Sequence, residues 1–287
     1  MKKTFFTSDL HLGHVHVAEL RGFESVAEHD QALINHWNAV VSPDDDVWVL
    51  GDFALGDFAV SMERARALKG RKTLIAGNHD RLSPAYHYKD DAARLRAEAK
   101  HLDAYRSVFS TLHNTGPVVV NGLPSQCIAS HFPYDGDRTS RERYVEFRPP
   151  NDGAWLLHGH VHGAWRMRDH QINVGVDAWG MAPVSSDVIC DIMNAHTLTA
   201  DPTHAPLRSF MLRYGLCEAW TLAVGRQKGG KIPQIAGDLL AELHGSDDDP
   251  FENGLNSLRC PAATDTDQMY REFGRALEQM DALTGGA

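Results

Sequence analysis

Five short groups of aspartate, asparagine and histidine each follow a short apolar run: Asp9-Leu-His11, Gly51-Asp52, Gly77-Asn78-His79-Asp80, His131, and His158-Gly-His160-Val-His162. Oxygen and imidazole donors in this mixture suit hard to borderline divalent cations such as Mn2+, Fe2+, Ni2+ or Zn2+. No group contains cysteine, which argues against a structural zinc site. In Asp9-x-His11 and His160-x-His162 the two side chains are expected on one side of an extended segment, because alternate residues of a strand share a face. The glycines beside three of the groups allow a tight turn and a close approach of substrate phosphate. Singly, none of the groups is specific. An Asp-x-His triplet arises by chance, Gly-Asp and Gly-Asn-His-Asp read equally well as turns, and a lone histidine is more often structural than a ligand. Five groups in order, each closing a strand, are what a metal centre built from strand-end loops needs.

The elements that would position these groups follow from the apolar pattern. Strands are predicted over residues 3–8, 47–50, 72–76, 118–121, 126–130, 155–158 and 171–176, short runs rich in Val, Ile, Phe and Trp with Gly, Asp, Asn or Pro at their ends. A helix is predicted over residues 25–41, where Val26, Leu33, Ile34, Trp37 and Val41 form a stripe. Further helices are predicted over 58–69 and 90–112, and one opens near Pro183 with Ser185 or Ser186 as its N-cap. This alternation predicts a layered α/β domain over residues 1–200, its sheets covered by helices. Asp201-Pro-Thr-His-Ala-Pro206 reads as a junction, and helical patterns over 207–225, 232–243 and 267–283 make residues 201–287 a small helical appendage of unassigned role.

With 287 residues, 43% hydrophobic and 23% charged, the chain has an ordinary globular composition and enough length to bury one good core. No apolar run approaches the roughly 18–20 residues that span a bilayer, so no membrane partner is expected. The Met1-Lys-Lys start meets Asp9 too soon for a signal peptide; it reads as the first strand, and a cytoplasmic location is expected. Cys127, Cys190, Cys217 and Cys260 lack CxxC spacing and read as buried thiols of a reducing compartment. A formal charge of −10 argues against broad non-specific affinity for nucleic acid and against an extended track for internal strand cleavage.

The ordered series Asp9-x-His11, Gly51-Asp52, Gly77-Asn78-His79-Asp80, His131 and Gly159-His160-x-His162 resembles the calcineurin-like metallophosphoesterases, over about residues 3–190. Thr7-Ser-Asp-Leu-His-Leu-Gly-His14 and Gln171-Ile-Asn-Val-Gly-Val-Asp177 look like the small bacterial and phage branch of that family. The resemblance implies a two-sheet α/β sandwich flanked by helices, with metals at the loops on one edge. It implies two divalent ions, Mn2+ foremost among Mn2+, Fe2+, Ni2+ and Zn2+. Asp9, His11 and His162 would hold one, Asn78, His131 and His160 the other, and Asp52 would bridge them. Ions about 3.5–4 Å apart clamp the attacking and departing oxygens of an in-line displacement, and water between them becomes a hydroxide nucleophile near neutral pH. His79 resembles the family's non-ligand histidine, which protonates the leaving oxygen or stabilises transition-state charge, with Asp80 orienting or tuning its imidazole.

Other residues carry weaker signals. His14, after Gly13, is placed to contact substrate or support the ligands, or is simply solvated. His16 and His29 are expected on exposed faces, and His158 as a structural or ligand-supporting residue. From His131 to Arg148 a long stretch holds Arg138, Arg141 and Arg143. These would grip phosphate bidentately, with Tyr134 or Tyr144 stacking on a base; alternatively they pair with Asp135, Asp137, Glu142 and Glu146 in a solvated loop. Asp44-Asp-Asp46 reads as a solvated turn and Trp179 as packing. Lys228-Gly-Gly-Lys231 lacks phosphate-loop spacing. The expected activity is hydrolysis of phosphodiesters in small nucleotides, 2′,3′-cyclic ones included, or at nucleic-acid ends. A phosphomonoesterase or protein phosphatase is the alternative, and a non-catalytic scaffold of the same fold is disfavoured by the complete ligand set. Oligomeric state is not legible in these motifs.

Overall fold

Residues 2–137 and 141–199 are described by a computed structural model. In chain order the elements are β1 (Thr4–Thr7), α1 (Val15–Leu20), α2 (Val26–Val40), β2 (Asp46–Val49), α3 (Phe58–Ala65), β3 (Arg71–Ile75), α4 (Asp91–Arg106), β4 (Thr111–His113), β5 (Val118–Val120), β6 (Cys127–Ala129), β7 (Trp155–His158), β8 (Met167–Arg168), β9 (Gln171–Asn173), β10 (Val184–Ser185) and α5 (Ser186–Thr199). One compact unit runs from Met1 to Ser186, and the chain from Asp187 onward belongs to a second. The helical appendage expected from residue 201 lies outside the described residues, as do Cys217 and Cys260.

The strands form two five-stranded sheets, ordered β10-β1-β2-β3-β4 and β5-β6-β7-β9-β8. Strands β1 to β4 run parallel in the first sheet and β6, β7 and β9 in the second; β10, β5 and β8 are antiparallel edges. Register pairs Thr7 with Val49 and Val49 with Leu74, so the carboxyl ends of three neighbouring strands finish side by side. Phe5, Val47, Val49 and Leu74 pack against Leu33, Ile34 and Trp37 of α2, Phe58, Met62 and Ala65 of α3, and Tyr105 of α4. Strand residues alternate faces, so Phe6, buried like Leu156, Leu157 and Ile172 of the second sheet, points away from those helices. The architecture is an α/β sandwich, two mixed sheets with flanking helices.

Local signals explain where α2 starts and stops. Ser25 caps it by accepting from the Glu28 N–H at 3.2 Å, and the apolar stripe ends at buried Val41. The helix predicted over 90–112 ends sooner. It stops at Arg106, because the apolar residues after it pair β4 with β3 in parallel register, Leu74 to Leu112 and Ile75 to His113. Strands β4, β8 and β10, of two or three residues, have no counterpart among the predicted strands; so short a run has no period of its own and exists through its neighbour. Among the described residues no helix is long and apolar enough to cross a membrane. Cys127 is buried as expected and Cys190 is only half-buried; the two are not joined in a disulfide.

Candidate metal centre

Asp9 and His11 follow β1, Asp52 follows β2, Asn78 follows β3, His131 follows β6, and His160 and His162 follow β7. All five strands are parallel members of their sheets, so their carboxyl ends point to one edge of the sandwich. The two sheets are joined there: Val176 N donates to the Ser8 carbonyl at 3.0 Å.

Five of these seven residues have left-handed backbone: Asp9 (φ 58°), His11 (52°), Asp52 (52°), His160 (71°) and His162 (51°). This corrects the extended-segment geometry expected for Asp9-x-His11 and His160-x-His162. The strands have already ended, and each side chain is turned out of the β alternation by a conformation that costs an L-residue on the order of 1–3 kcal/mol. Hydrogen bonds hold the loops in place: Asp9 N to Gly51 O and His11 N to Asp52 O, both 3.0 Å, and His160 N to Asp9 Oδ2, also 3.0 Å.

The glycines make room for the ligand side chains. Gly51 has φ +89°, and a Cβ there would lie 2.6 Å from the Gly77 backbone and from His131 Nδ1. A Cβ on Gly159 would lie 2.6 Å from Asp9 Oδ2. Gly159→Ala is therefore expected to destabilise the fold by about 1–3 kcal/mol, as overpacked interiors are, and to reduce bound metal. Denaturant melts and metal analysis check this; unchanged stability and metal content in the Gly159→Ala variant would show that the loop yields.

The donor atoms converge. His11 Nε2 lies 3.3 Å from His162 Nε2, and Asp9, His11 and His162 can direct one ligand atom each to a common point. A second such group is Asp9, Asp52 and His131. Asn78 Oδ1 stands between His131 Nε2 at 3.1 Å and His160 Nδ1 at 3.0 Å. Asp52 Oδ2 faces both sides, 3.8 Å from His11 Nε2 and 3.5 Å from His131 Nε2.

Neighbouring acceptors set the tautomers. His131 Nδ1 faces the Leu50 carbonyl at 2.7 Å, and His162 Nδ1 faces Asp177 Oδ2 at 3.0 Å. His131 keeps its proton on that side and turns the Nε2 lone pair inward; His162, raised against the pull of burial by Asp177 and Asp9, does the same once it is neutral. Burial holds His11 and His131 below the usual imidazole range and takes His160 down to about 2, so these rings are neutral donors. Burial raises the carboxyl groups of Asp9, Asp52 and Asp80, taking Asp52 and Asp80 up to about 7. Among the described residues no lysine or arginine pairs with the carboxylate of Asp9 or Asp52. Buried carboxylates without a cationic partner, ringed by inward lone pairs, fit divalent cations.

His79 sits at the mouth, half-exposed, its Nε2 4.0 Å from Asp52 Oδ2. Asp80 differs from expectation. It is fully buried, and its carboxylate accepts from the backbone N–H of Asp52 (2.8 Å), Gly77 (2.8 Å) and Phe53 (3.2 Å). It ties the β2 and β3 loops together instead of orienting the His79 ring. His14 caps α1, accepting from Val17 N at 3.1 Å, with its ring centroid 5.9 Å from that of His11. His16 is exposed as expected, whereas His29 is fully buried and bonded to Asp30. His158 is buried with Nδ1 on the Gly159 carbonyl.

Of the arginines, Arg138 lies outside the described residues and Arg141 is exposed. Arg143 bonds Asp137 through Nε at 3.1 Å and Nη2 at 2.7 Å. Asp137 is also 3.4 Å from His160 Nε2, a ligand contact that nothing in the spacing around Asp137 announces. Tyr134 is core, its hydroxyl on the Ala154 carbonyl, which leaves Tyr144 of the two tyrosines expected near the substrate. That residue has left-handed backbone (φ 55°) and its ring centroid is 5.4 Å from that of His160. Asp45 is buried, capping Ser42 N and Lys3 N at 2.8 Å each, contrary to a solvated Asp44-Asp-Asp46 turn. Trp179 packs under Arg166, as expected.

The profile of calcineurin-like phosphoesterases matches residues 2–164, and the chain belongs to that family: it is a metal-dependent phosphoric ester hydrolase. It is similar to the "Gene 66 protein" of Mycobacterium phage L5, 39% identical over 207 residues, 68% of this chain and 95% of the relative. The "Uncharacterized protein MJ1445" of Methanocaldococcus jannaschii is 26% identical over 67% of this chain and 92% of its own. Phage and archaeal relatives fit the small bacterial and phage branch. The crystal structure of the protein of unknown function AQ665 from Aquifex aeolicus covers 66% of this chain and 98% of its own, with 23% identity and a TM-score of 0.47.

Proposed function

We propose that the protein is a phosphodiesterase acting on small nucleotides, 2′,3′-cyclic nucleotides included, with two divalent ions, Mn2+ foremost. The observation that carries the reading is His79, half-exposed at the mouth with Nε2 4.0 Å from the carboxylate shared by both halves of the centre. When one P–O bond of an alkyl diester breaks, the alcohol departs as an alkoxide, a poor leaving group, and a positioned imidazolium would supply its proton. Bound at the donor sets of Asp9, His11 and His162 and of Asn78, His131 and His160, divalent ions would supply an activated water nucleophile and charge neutralisation. Asp52 faces both sets, and its backbone neighbours are fixed by Asp80, so the carboxylate needs no reorganisation. His14 and Arg143 add cationic or neutral donors beside an anion's approach, and Tyr144 offers an aromatic face for a base.

The test compares bis-(p-nitrophenyl) phosphate with p-nitrophenyl phosphate, using metal-stripped protein with and without Mn2+. Higher kcat/KM on the diester, restored by the ion, is the expected result. A preference for the monoester would replace this reading with a phosphomonoesterase. His79→Asn is expected to slow 2′,3′-cyclic nucleotide hydrolysis by about 10²-fold or more and to affect the p-nitrophenyl ester less, since that leaving group needs little protonation. Equal losses on both would remove His79 from the acid role.

A further inference from the structure

Arg21 lies between the loop that carries Asp9 and His11 and the residue that orients His162, and its side chain is almost fully buried. All five guanidinium N–H groups are used. Nε and Nη2 grip Asp177 at 2.7 and 2.8 Å. Nη2 also donates to the Asp9 carbonyl at 2.7 Å, and Nη1 donates to the Leu10 carbonyl at 3.0 Å. The remaining Nη1 proton meets His29 Nε2 at 2.9 Å. That nitrogen is therefore the acceptor, and His29 Nδ1–H donates to Asp30 Oδ1 at 2.9 Å. Asp30 in turn accepts from Gly13 N at 3.1 Å and pairs with Arg64.

The consequence is geometric. The first loop is held at three backbone points, Asp9 O, Leu10 O and Gly13 N, by a single chain of side chains. The same guanidinium fixes Asp177, which fixes the His162 ring through Nδ1 at 3.0 Å. The donors Asp9, His11 and His162 thus have one common support, whereas His131 takes its support from the Leu50 carbonyl and His160 has Asp137 Oδ2 3.4 Å from its Nε2.

We propose that Arg21 is the positioning residue for one half of the metal centre: through Asp177 and the Asp9-Leu10 carbonyls it sets the spacing of Asp9, His11 and His162, and so governs the affinity of that ion separately from the ion at Asn78, His131 and His160. This rests on the dinuclear reading. Arginine is needed because a planar fork spans a carboxylate and two carbonyls at once; lysine, a point charge with three donors, does not.

The experiment uses the full chain stripped by chelator and titrated with Mn2+. Ions per chain are counted after equilibrium dialysis, and the spin-coupled Mn2+ pair is followed by electron paramagnetic resonance. Wild type is expected to take two ions and show coupling. Arg21→Met and Arg21→Lys are expected to keep one ion at wild-type affinity, to bind the second about 10–100-fold more weakly, and to lose the coupled signal. Asp177→Asn, which preserves volume, is expected to act in the same direction and decides the matter if the Arg21 variants do not fold. Two ions held with wild-type affinity in the folded variants, or equal weakening of both, would overturn the proposal and leave Arg21 a fold residue. A wild-type protein that never takes a second ion would overturn the dinuclear reading itself.

Discussion

Asp52→Asn is expected to leave a folded protein with phosphoesterase activity on the order of 10³-fold below wild type at saturating metal. Asp52 Oδ2 is within 3.8 Å of His11 Nε2 and 3.5 Å of His131 Nε2. An amide offers one neutral oxygen where the carboxylate offers two charged ones. The fold is expected to survive, because an Asn oxygen can still accept the His79 backbone N–H that now reaches Asp52 Oδ1 at 2.8 Å. Its new NH2 faces imidazole lone pairs. With metal removed, the variant should melt at a higher temperature than wild type, since burial pushes the native carboxyl up to about 7 and makes its charged form costly at neutral pH. Activity within tenfold of wild type, or a lower melting point in chelator, would contradict the placement of Asp52 between two cations.

Divalent metal is expected to raise the melting temperature by roughly 5–10 °C per site at an ion concentration of about 100 times its Kd, the equivalent of about 2.7 kcal/mol in a domain of this size. The shift should be larger at pH 8 than at pH 6. Asp9, Asp52 and Asp80 have folded values raised by burial. Their contribution to metal-free stability is fully present below the unfolded value near 3.8 and is lost as pH rises towards about 7. His11, His131, His158 and His160 are lowered by burial; their contribution is complete above the unfolded value near 6.5 and is lost as pH falls. The two sets oppose each other between about pH 4 and 6.5. Above about 6.5 the carboxyl groups still change, and His162, raised against the pull of burial by Asp177 and Asp9, loses its contribution in the same direction, so metal-free protein weakens towards pH 8. An ion binds the deprotonated carboxylates, releasing protons, and is therefore favoured by the same rise in pH. Thermal melts across pH in chelator and in Mn2+ measure both effects. A melting temperature indifferent to metal at pH 8, or a larger shift at pH 6, would count against the site.

Whatever depends on neighbours along the chain was legible in the sequence. Short apolar runs closed by Asp9, Asp52, Asn78, His131 and His160 mark the strand ends and the donors in order, because a strand end and its loop are contiguous. The stripe Leu33, Ile34 and Trp37 marks α2 for the same reason. Contacts between distant segments settle the remainder, and these exist only in the folded chain. Left-handed backbone at the ligands is tolerated only because loops from different strands bond each other, as His160 N does to an Asp9 carboxylate 151 positions away. Asp80 is two residues from Asn78 yet serves the backbone of Asp52, since the parallel β2–β3 pairing brings those loops together. His29 reads as a polar helix residue, and is buried because Arg21 and Asp30 satisfy both its nitrogens. Arg21 itself gains its place from Asp177, 156 positions on. A donor set can be written in local motifs, but the supports that fix its geometry come from chain segments that only folding brings together.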